Sequence, residues 1–377
     1  MTVRIFACGD VVNSKDRSDF LDNELESVIQ SCDLSICNFE APIKHKGIKP
    51  IKKAGPHIYQ SKNSITYLKE SGFSFVSLAN NHIYDYGLDG LGNTICELKR
   101  QKIRFVGGGV CFKEAYKTQV VEKKGIRIGF IAACENEFGC LYEEQNRGGY
   151  AWLFHHCIED NIRELKTKCD FVVMIAHAGI ENIDFPIKEW RDRYKRLCDV
   201  GVDVVIGHHP HVPQGHEIYK DSIIFYSLGN FYFDSGGFAN SSDDSYSVVL
   251  ELEKKGIKGF QIIYHKKVNG KTSLASQEDV SFSLSELNSL LEEGYNKLNN
   301  EIAIKLFSDY YKGYYQIAMG IPNSKNELLK IIKYLILKLL YRNRDIDKRN
   351  LMLLHNIRID SHRFVVQRAL SLLSERT

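Results

Sequence analysis

Short apolar runs recur along the first 235 residues, and each ends on a side chain able to bind a metal. VRIFACGD ends at Asp10, and DLSICNFE ends at Asn38 and Glu40. FSFVSLANNH closes on Asn80, Asn81 and His82, and FVVMIAHAG carries His177. VDVVIGHHPH delivers His208, His209 and His211, and SIIFYSLGN ends at Asn230. Runs of about four to eight residues rich in Val, Ile and Phe read as buried strands. Between them the periodicity turns helical, over 16–31, 64–72, 88–102, 157–169 and 187–201. The alternation predicts an α/β fold with much parallel pairing.

After Asp244 the pattern changes. SYSVVLELEKKGIKGFQIIYHKKVNG alternates around Gly256 and Gly270, which predicts hairpins extending a sheet. Beyond Ser281 the character is helical. Leu328, Ile331, Ile332, Leu335, Ile336, Leu339 and Leu340 form an apolar stripe with Lys330, Lys333 and Lys338 between them. A helix over 325–341, packed through that stripe, is expected, because an exposed stripe of that size is an aggregation hazard. The bordering lysines leave peripheral membrane contact as the other reading. The expected division is a domain over 1–275 and a helical region over 276–377 packed on it. Residues 44–62 read as a loop, with Gly47, Pro50, Gly55 and Pro56 as breakers. Gly107-Gly108-Gly109 lacks the Lys-Ser/Thr of a phosphate loop and reads as a strand-to-loop turn.

In sheets flanked by helices, ligands gather at the carboxyl ends of strands. The metal-type side chains therefore belong to one site. Singly, each has a plain explanation: Asp10 as a helix cap, Glu40 as a solvated carboxylate, Asn80-Asn81 as a turn, His177 as a core histidine. The sharpest local signal is Gly207-His208-His209-Pro210-His211. Neutral imidazole suits zinc, iron and manganese, and two histidines one residue apart can address neighbouring ions.

Composition narrows the class. The chain has 377 residues, 44% of them hydrophobic, with 50 basic and 47 acidic side chains and a net charge of +3. No general attraction to nucleic acid or membrane follows. No run is long and apolar enough to span a bilayer, and MTVRIFACGD lacks a signal-peptide pattern. The ten cysteines are scattered without a CxxC pair, which fits reduced thiols of a cytoplasmic protein. Lys44, Lys46, Lys49, Lys52 and Lys53 follow Glu40. They form either a solvated loop or positive charge offered to an anionic substrate.

Together, Asp10, Glu40, Asn81-His82, His177 and His209-Pro210-His211 resemble the ordered motifs of calcineurin-like metallophosphoesterases. More closely, NFEAPI, SLANNHIYDYGLDGL, IGHHPHV and IIFYSLGNFYFD resemble the blocks of the CapA family, the poly-gamma-glutamate capsule biosynthesis family. The resemblance covers roughly residues 3–235. It implies a four-layer α/β/β/α sandwich of metallophosphoesterase type with an α-helical C-terminal extension. It also implies two divalent transition-metal ions, Mn, Fe or Zn. Asp10, bridging Glu40 and His211 would hold one ion, and Glu40, Asn81, His177 and His209 the other. His82 would act on the leaving group. Asn38, Asn80, Glu181, His208, Asn230, Lys52 and Lys53 would serve as outer or substrate contacts.

Two departures stand out. Val12 occupies the place where broader metallophosphoesterases carry a histidine. The family's His-Trp-Gly-x-Glu-Tyr block reads His177-Ala178-Gly179-Ile180-Glu181-Asn182, and the loss of its two aromatics alters the contacts expected with substrate. The expected function is hydrolysis of a phosphoester, less favourably an amide, in an anionic, glycan- or polyglutamate-related substrate of capsule or exopolymer biosynthesis. The alternative is a non-catalytic, metal-binding component of a polymer assembly complex.

Overall fold

The computed structural model describes residues 1–143, 147–321 and 346–375. The expected helix over 325–341 lies outside the described residues. The chain divides into two compact units: 1–51, 57–135 and 139–293 form the first, and 52–56, 136–138 and 294–377 the second.

The first unit is built on two sheets. In spatial order the larger runs Lys271–Leu274, Gly256–Val268, Ser245–Glu253, Val3–Val12, Leu34–Phe39, Phe75–Ser77 and Arg104–Val106, with Asn230–Phe233 also pairing with Val3–Val12. The second runs His216–Tyr219, Ser222–Phe225, Val204–His208, Phe171–His177, Ile126–Cys134 and Gln119–Lys123. The strands nearest the site are parallel within each sheet, as the βα alternation predicts. The hairpins around Gly256 and Gly270 extend the larger sheet in antiparallel fashion.

The sheets face each other through their apolar sides. The rings of Phe75 and Phe130 sit 4.6 Å apart across the interface, and Phe225 and Phe260 sit 5.1 Å apart. Helices cover the outer faces. His156–Lys168 buries Ile158, Ile162 and Leu165, and Lys188–Val200 buries Trp190, Tyr194 and Leu197, both on the second sheet. Asn23–Gln30 and Gly87–Arg100 cover the larger sheet through Leu25, Ile29, Leu91, Ile95 and Leu98. Helix, sheet, sheet, helix gives four layers. Gly107 turns the chain after Arg104–Val106 at φ 85°, and a Cβ there would lie 2.5 Å from Cβ of Ala79. Close packing, not phosphate binding, explains that glycine.

One expected boundary moves. The helix predicted from Asp16 starts at Asn23. Asn13 and Arg17 close a local turn with two side-chain hydrogen bonds, and Asp16 has φ 61°. The side chain of Asp22 then caps the helix by accepting the Leu25 N–H at 2.7 Å. Short polar side chains thus compete with the helix through its first expected turn.

In the second unit, Tyr295–Leu306 passes through a π-turn, Phe307–Tyr311, into Lys312–Ala318. Helices Ile346–Arg358 and Asp360–Ser374 follow. The Asp360 carboxylate accepts the Asn136 N–H at 2.9 Å, and the Phe138 ring stacks against His355. Exposed Lys52 and half-buried Lys53 belong to this unit. Among the described residues, no helix is long and apolar enough to cross a membrane.

Candidate metal centre

The site is laid down where the first strand loosens its ladder. Register shifts occur after Asp10 against Asn230–Phe233 and between Ala7 and Asp10 against Leu34–Phe39. Such irregularities re-aim a side chain. Gly9 permits the approach, because a Cβ there would lie 1.9 Å from the Gly229 carbonyl oxygen. That carbonyl accepts the Asp10 N–H at 3.0 Å.

Two carboxamides tie neighbouring strand ends together. Asn38 Nδ2 donates to Asp10 Oδ1 at 2.8 Å and lies 3.2 Å from His177 Nδ1. Asn80 Nδ2 donates to Asn38 Oδ1 at 3.2 Å and to the Phe39 carbonyl at 2.9 Å. The histidines close the cluster from the second sheet. His177 Nε2 is 3.1 Å from both Asn81 Oδ1 and His209 Nδ1. His208 Nδ1 is 3.2 Å from Asp10 Oδ1. His211 places Nδ1 3.6 Å from Asp10 Oδ2 and 2.9 Å from Asn230 Oδ1, and Nε2 3.8 Å from Glu40 Oε1. Asp10, Glu40 and His177 each offer one ligand atom within 4.8 Å of the others. His209 and His211 hold φ 98° and 59° on either side of Pro210. Left-handed backbone at non-glycine residues costs about 1–3 kcal/mol each and concentrates at functional sites.

The electrostatics follow from burial. Burial alone would raise the Asp10 carboxyl, but the hydrogen bond and charge of His208, with His177 and His211, hold it well below the usual range. Burial pushes the Glu40 carboxyl well up, reinforced by Asp10 and exposed Glu181. Burial pushes His177 well down and His209 down to about 4. Both rings are therefore held neutral, the form that binds metal.

Glu40 tests the fit of a metal. Both its carboxylate oxygens are buried and, among the described residues, have no hydrogen-bond partner. Buried carboxylates normally pair with donors or coordinate a metal. With the Asp10 carboxylate, imidazoles and the Asn81 carboxamide oxygen gathered beside it, Glu40 completes an N/O donor set suited to Mn, Fe or Zn. The residues fit a divalent ion.

His82 turns Nδ1 toward Asp85 Oδ2 at 2.8 Å. Asp10, Asn38, Glu40, Asn80, Asn81, His177, His208, His209, His211 and Asn230 all interlock through the contacts above, and Glu181 acts on Glu40 and His209 through its charge. Sequence reasoning missed Glu135, which is buried at the end of Ile126–Cys134. It accepts the Gly179 N–H at 3.1 Å and lies 3.7 Å from His209 Nε2. The run IRIGFIAACE carried the same signal as the other strand ends. Val12 is buried in a small apolar cluster with Ala41, Ile58 and Phe233, so its place offers no ligand. A separate His155, His156 and Cys157 group lies at a helix start. There His155 Nδ1 accepts the Cys157 N–H at 3.2 Å, which puts the ring proton on Nε2 and removes that nitrogen as a ligand.

Two packed sheets with a buried carboxylate–imidazole–carboxamide cluster at their strand ends define an α/β sandwich protein with a candidate divalent-metal centre. The profile of the bacterial capsule synthesis protein PGA_cap matches residues 4–235, which contain the whole cluster, and the chain belongs to that family. It is 31% identical over 254 residues to the PGA biosynthesis protein CapA of Bacillus subtilis strain 168, covering 67% of this chain and 66% of the relative. It is also 31% identical over 245 residues to the capsule biosynthesis protein CapA of Bacillus anthracis, covering 63% and 59%. The matches thus leave about a third or more of each relative's length unspanned. A crystal structure titled as a novel phosphatase, from Mycoplasma pneumoniae, aligns with TM-score 0.45 and 15% identity over 76% of this chain and 99% of that one. Likeness at that level adds nothing to the family assignment.

Proposed function

We propose that this centre is a metal-dependent hydrolase site acting on a phosphoester, less favourably an amide, of an anionic glycan- or polyglutamate-related substrate. The names of the two Bacillus relatives support a place in capsule or exopolymer biosynthesis. Ten free thiols support a reducing, cytoplasmic compartment. The observation that carries the reading is Glu40, a buried carboxylate beside Asp10, His177 and His211 whose two oxygens have no hydrogen-bond partner among the described residues.

Asp10, Glu40 and His211 would hold one divalent ion, and Glu40, Asn81, His177 and His209 a second. Bound there, Mn, Fe or Zn supplies Lewis acidity and a nucleophilic water at neutral pH. The chain's own groups do the rest. Asn38 and Asn80 brace the strand ends. Glu135 steadies His209. His82, oriented by Asp85, donates a proton from Nε2 to the leaving oxygen.

Buried, apolar Val12 favours a second reading, in which a site short of one ligand binds metal within a polymer assembly complex without turnover. Metal analysis of the purified protein, followed by a phosphoester and amide screen with and without manganese, separates the two. Bound metal with turnover supports the hydrolase. Bound metal without turnover on any substrate puts the assembly component in its place.

A further inference from the structure

We propose that Lys267 and Asp243 are positioning residues that fix, through Asn230, which nitrogen of His211 is free to bind an ion. The proposal rests on the reading of the site just given. Lys267 Nζ lies 2.7 Å from Asp243 Oδ2, and both side chains are buried. Lys267 also donates to the Phe233 carbonyl at 2.6 Å, and Asp243 Oδ2 accepts the Phe233 N–H at 3.0 Å. Asp243 Oδ1 faces Asn230 Nδ2 at 3.4 Å.

The chemistry of these groups allows one arrangement. An ionised carboxylate only accepts hydrogen bonds. Asn230 must therefore turn its NH2 to Asp243 and its oxygen to His211. That oxygen also only accepts, so His211 Nδ1, 2.9 Å away, carries the ring proton. In a neutral imidazole the other nitrogen is then the lone-pair donor. Nε2 is the nitrogen that faces Glu40 Oε1.

Were the Asn230 amide free to flip, its NH2 would face Nδ1 and drive the proton onto Nε2, closing the ligand position. Burial raises the Asp243 carboxyl; the Lys267 ammonium 2.7 Å away opposes that shift, favours the ionised form and so keeps the amide oriented. A buried ion pair is weak as a stabiliser and is often replaced by apolar residues without loss. Asp243 moreover sits at φ 47°, a strained backbone. Orientation of a ligand is a use that justifies both costs. Partners of this outer kind typically change metal affinity about 10–100-fold.

Imidazole 15N NMR of the metal-free protein, at a pH where the ring is neutral, reads the His211 tautomer directly, with the signal assigned by His211→Gln. A proton on Nδ1 is expected in the wild type, and a proton on Nε2 overturns the proposal. Asp243→Asn should give mixed tautomers and a Zn2+ affinity lower by about 10–100-fold, with unchanged circular dichroism. Because that variant leaves the Lys267 charge buried and unpaired, Asp243→Asn/Lys267→Met keeps the interior neutral, and the same loss is expected there. Wild-type affinity in the folded double variant overturns the proposal. If the wild type binds no Zn2+ or Mn2+, the reading of the site fails, and the tautomer of the metal-free ring decides the relay on its own.

Discussion

Nδ1 of His82 stands 2.8 Å from Oδ2 of Asp85, and the same oxygen accepts the Ile58 N–H at 2.9 Å. The backbone contact anchors the carboxylate, and the carboxylate anchors the ring. Because an ionised carboxylate only accepts, the ring proton stays on Nδ1. In the proposed reading, Nε2 is the nitrogen that would exchange a proton with a bound molecule. Asp85 also stabilises the imidazolium that such a donor must reach.

His82→Asn should lower kcat by about 10²–10⁴ on the best substrate while metal content stays near normal. His209→Ala should lose metal and activity together. Asp85→Asn should lower kcat in the same direction as His82→Asn and keep the metal. Elemental analysis beside steady-state kinetics reads all three. Full activity in His82→Asn rules out its assigned role.

Glu40→Gln separates metal binding from stability. Burial raises the Glu40 carboxyl, reinforced by Asp10 and Glu181, so folding takes up a proton between the unfolded value, about 4.3, and the higher folded one. Its contribution to stability is present below about pH 4.3 and is lost as pH rises toward the folded value. As pH rises above about 4.3 the metal-free wild type carries a growing share of that cost. The glutamine variant should abolish metal binding yet gain about 1–3 kcal/mol in metal-free stability by denaturant unfolding in chelator. A metal-free variant less stable than wild type at pH 7 defeats the argument.

The strand ends were legible because two signals coincide there. The apolar run marks where a strand stops, and the next side chain states its chemistry. That logic points to Asp10, Glu40, Asn81, His177 and His211 as neighbours at one sheet edge, and the structure brings them together. It passed over Glu135, because a single glutamate after a strand reads as solvated until its burial is seen. Asp85 and Asp243 follow turns without periodicity, and only tertiary contacts connect them to His82 and Asn230. The early start given to the first helix failed for a related reason: Asn13 and Arg17 bond locally, which a hydrophobic pattern does not register. Lys52 and Lys53 announced charge but not placement.

Gly9→Ala should damage the centre out of proportion to the added volume. Its Cβ would meet the Gly229 carbonyl oxygen at 1.9 Å, and backbone cannot rotate away as a side chain can. The strand carrying Asp10 must shift against Asn230–Phe233. Overpacking of this kind costs about 1–3 kcal/mol, and the shift moves Asp10 relative to His208 and His211. Thermal unfolding should show a moderate loss, and calorimetric titration with Mn2+ a severe one. Wild-type metal affinity in the alanine variant contradicts the tight approach.

Outside the centre, a buried histidine is a liability in acid. His265 is fully buried, with Nε2 2.9 Å from Ser247 Oγ and its ring 5.0 Å from that of Phe231. Burial pushes its pKa down to about 3. In the unfolded chain the ring titrates near 6.5. Above that value both states are neutral and the ring contributes no pH dependence. As pH falls below it, the unfolded chain takes up a proton that the folded chain refuses, and stability declines by about 1.4 kcal/mol per pH unit until pH approaches the folded value. His265→Gln keeps a partner for Ser247 and cannot titrate. Between pH 7 and pH 5 the wild type should lose about 2 kcal/mol more than the variant. Urea unfolding at both pH values, in chelator so that metal binding does not intrude, measures the difference. The other titrating groups are common to both proteins and cancel. Equal losses in the two would mean that His265 is protonated in the folded state.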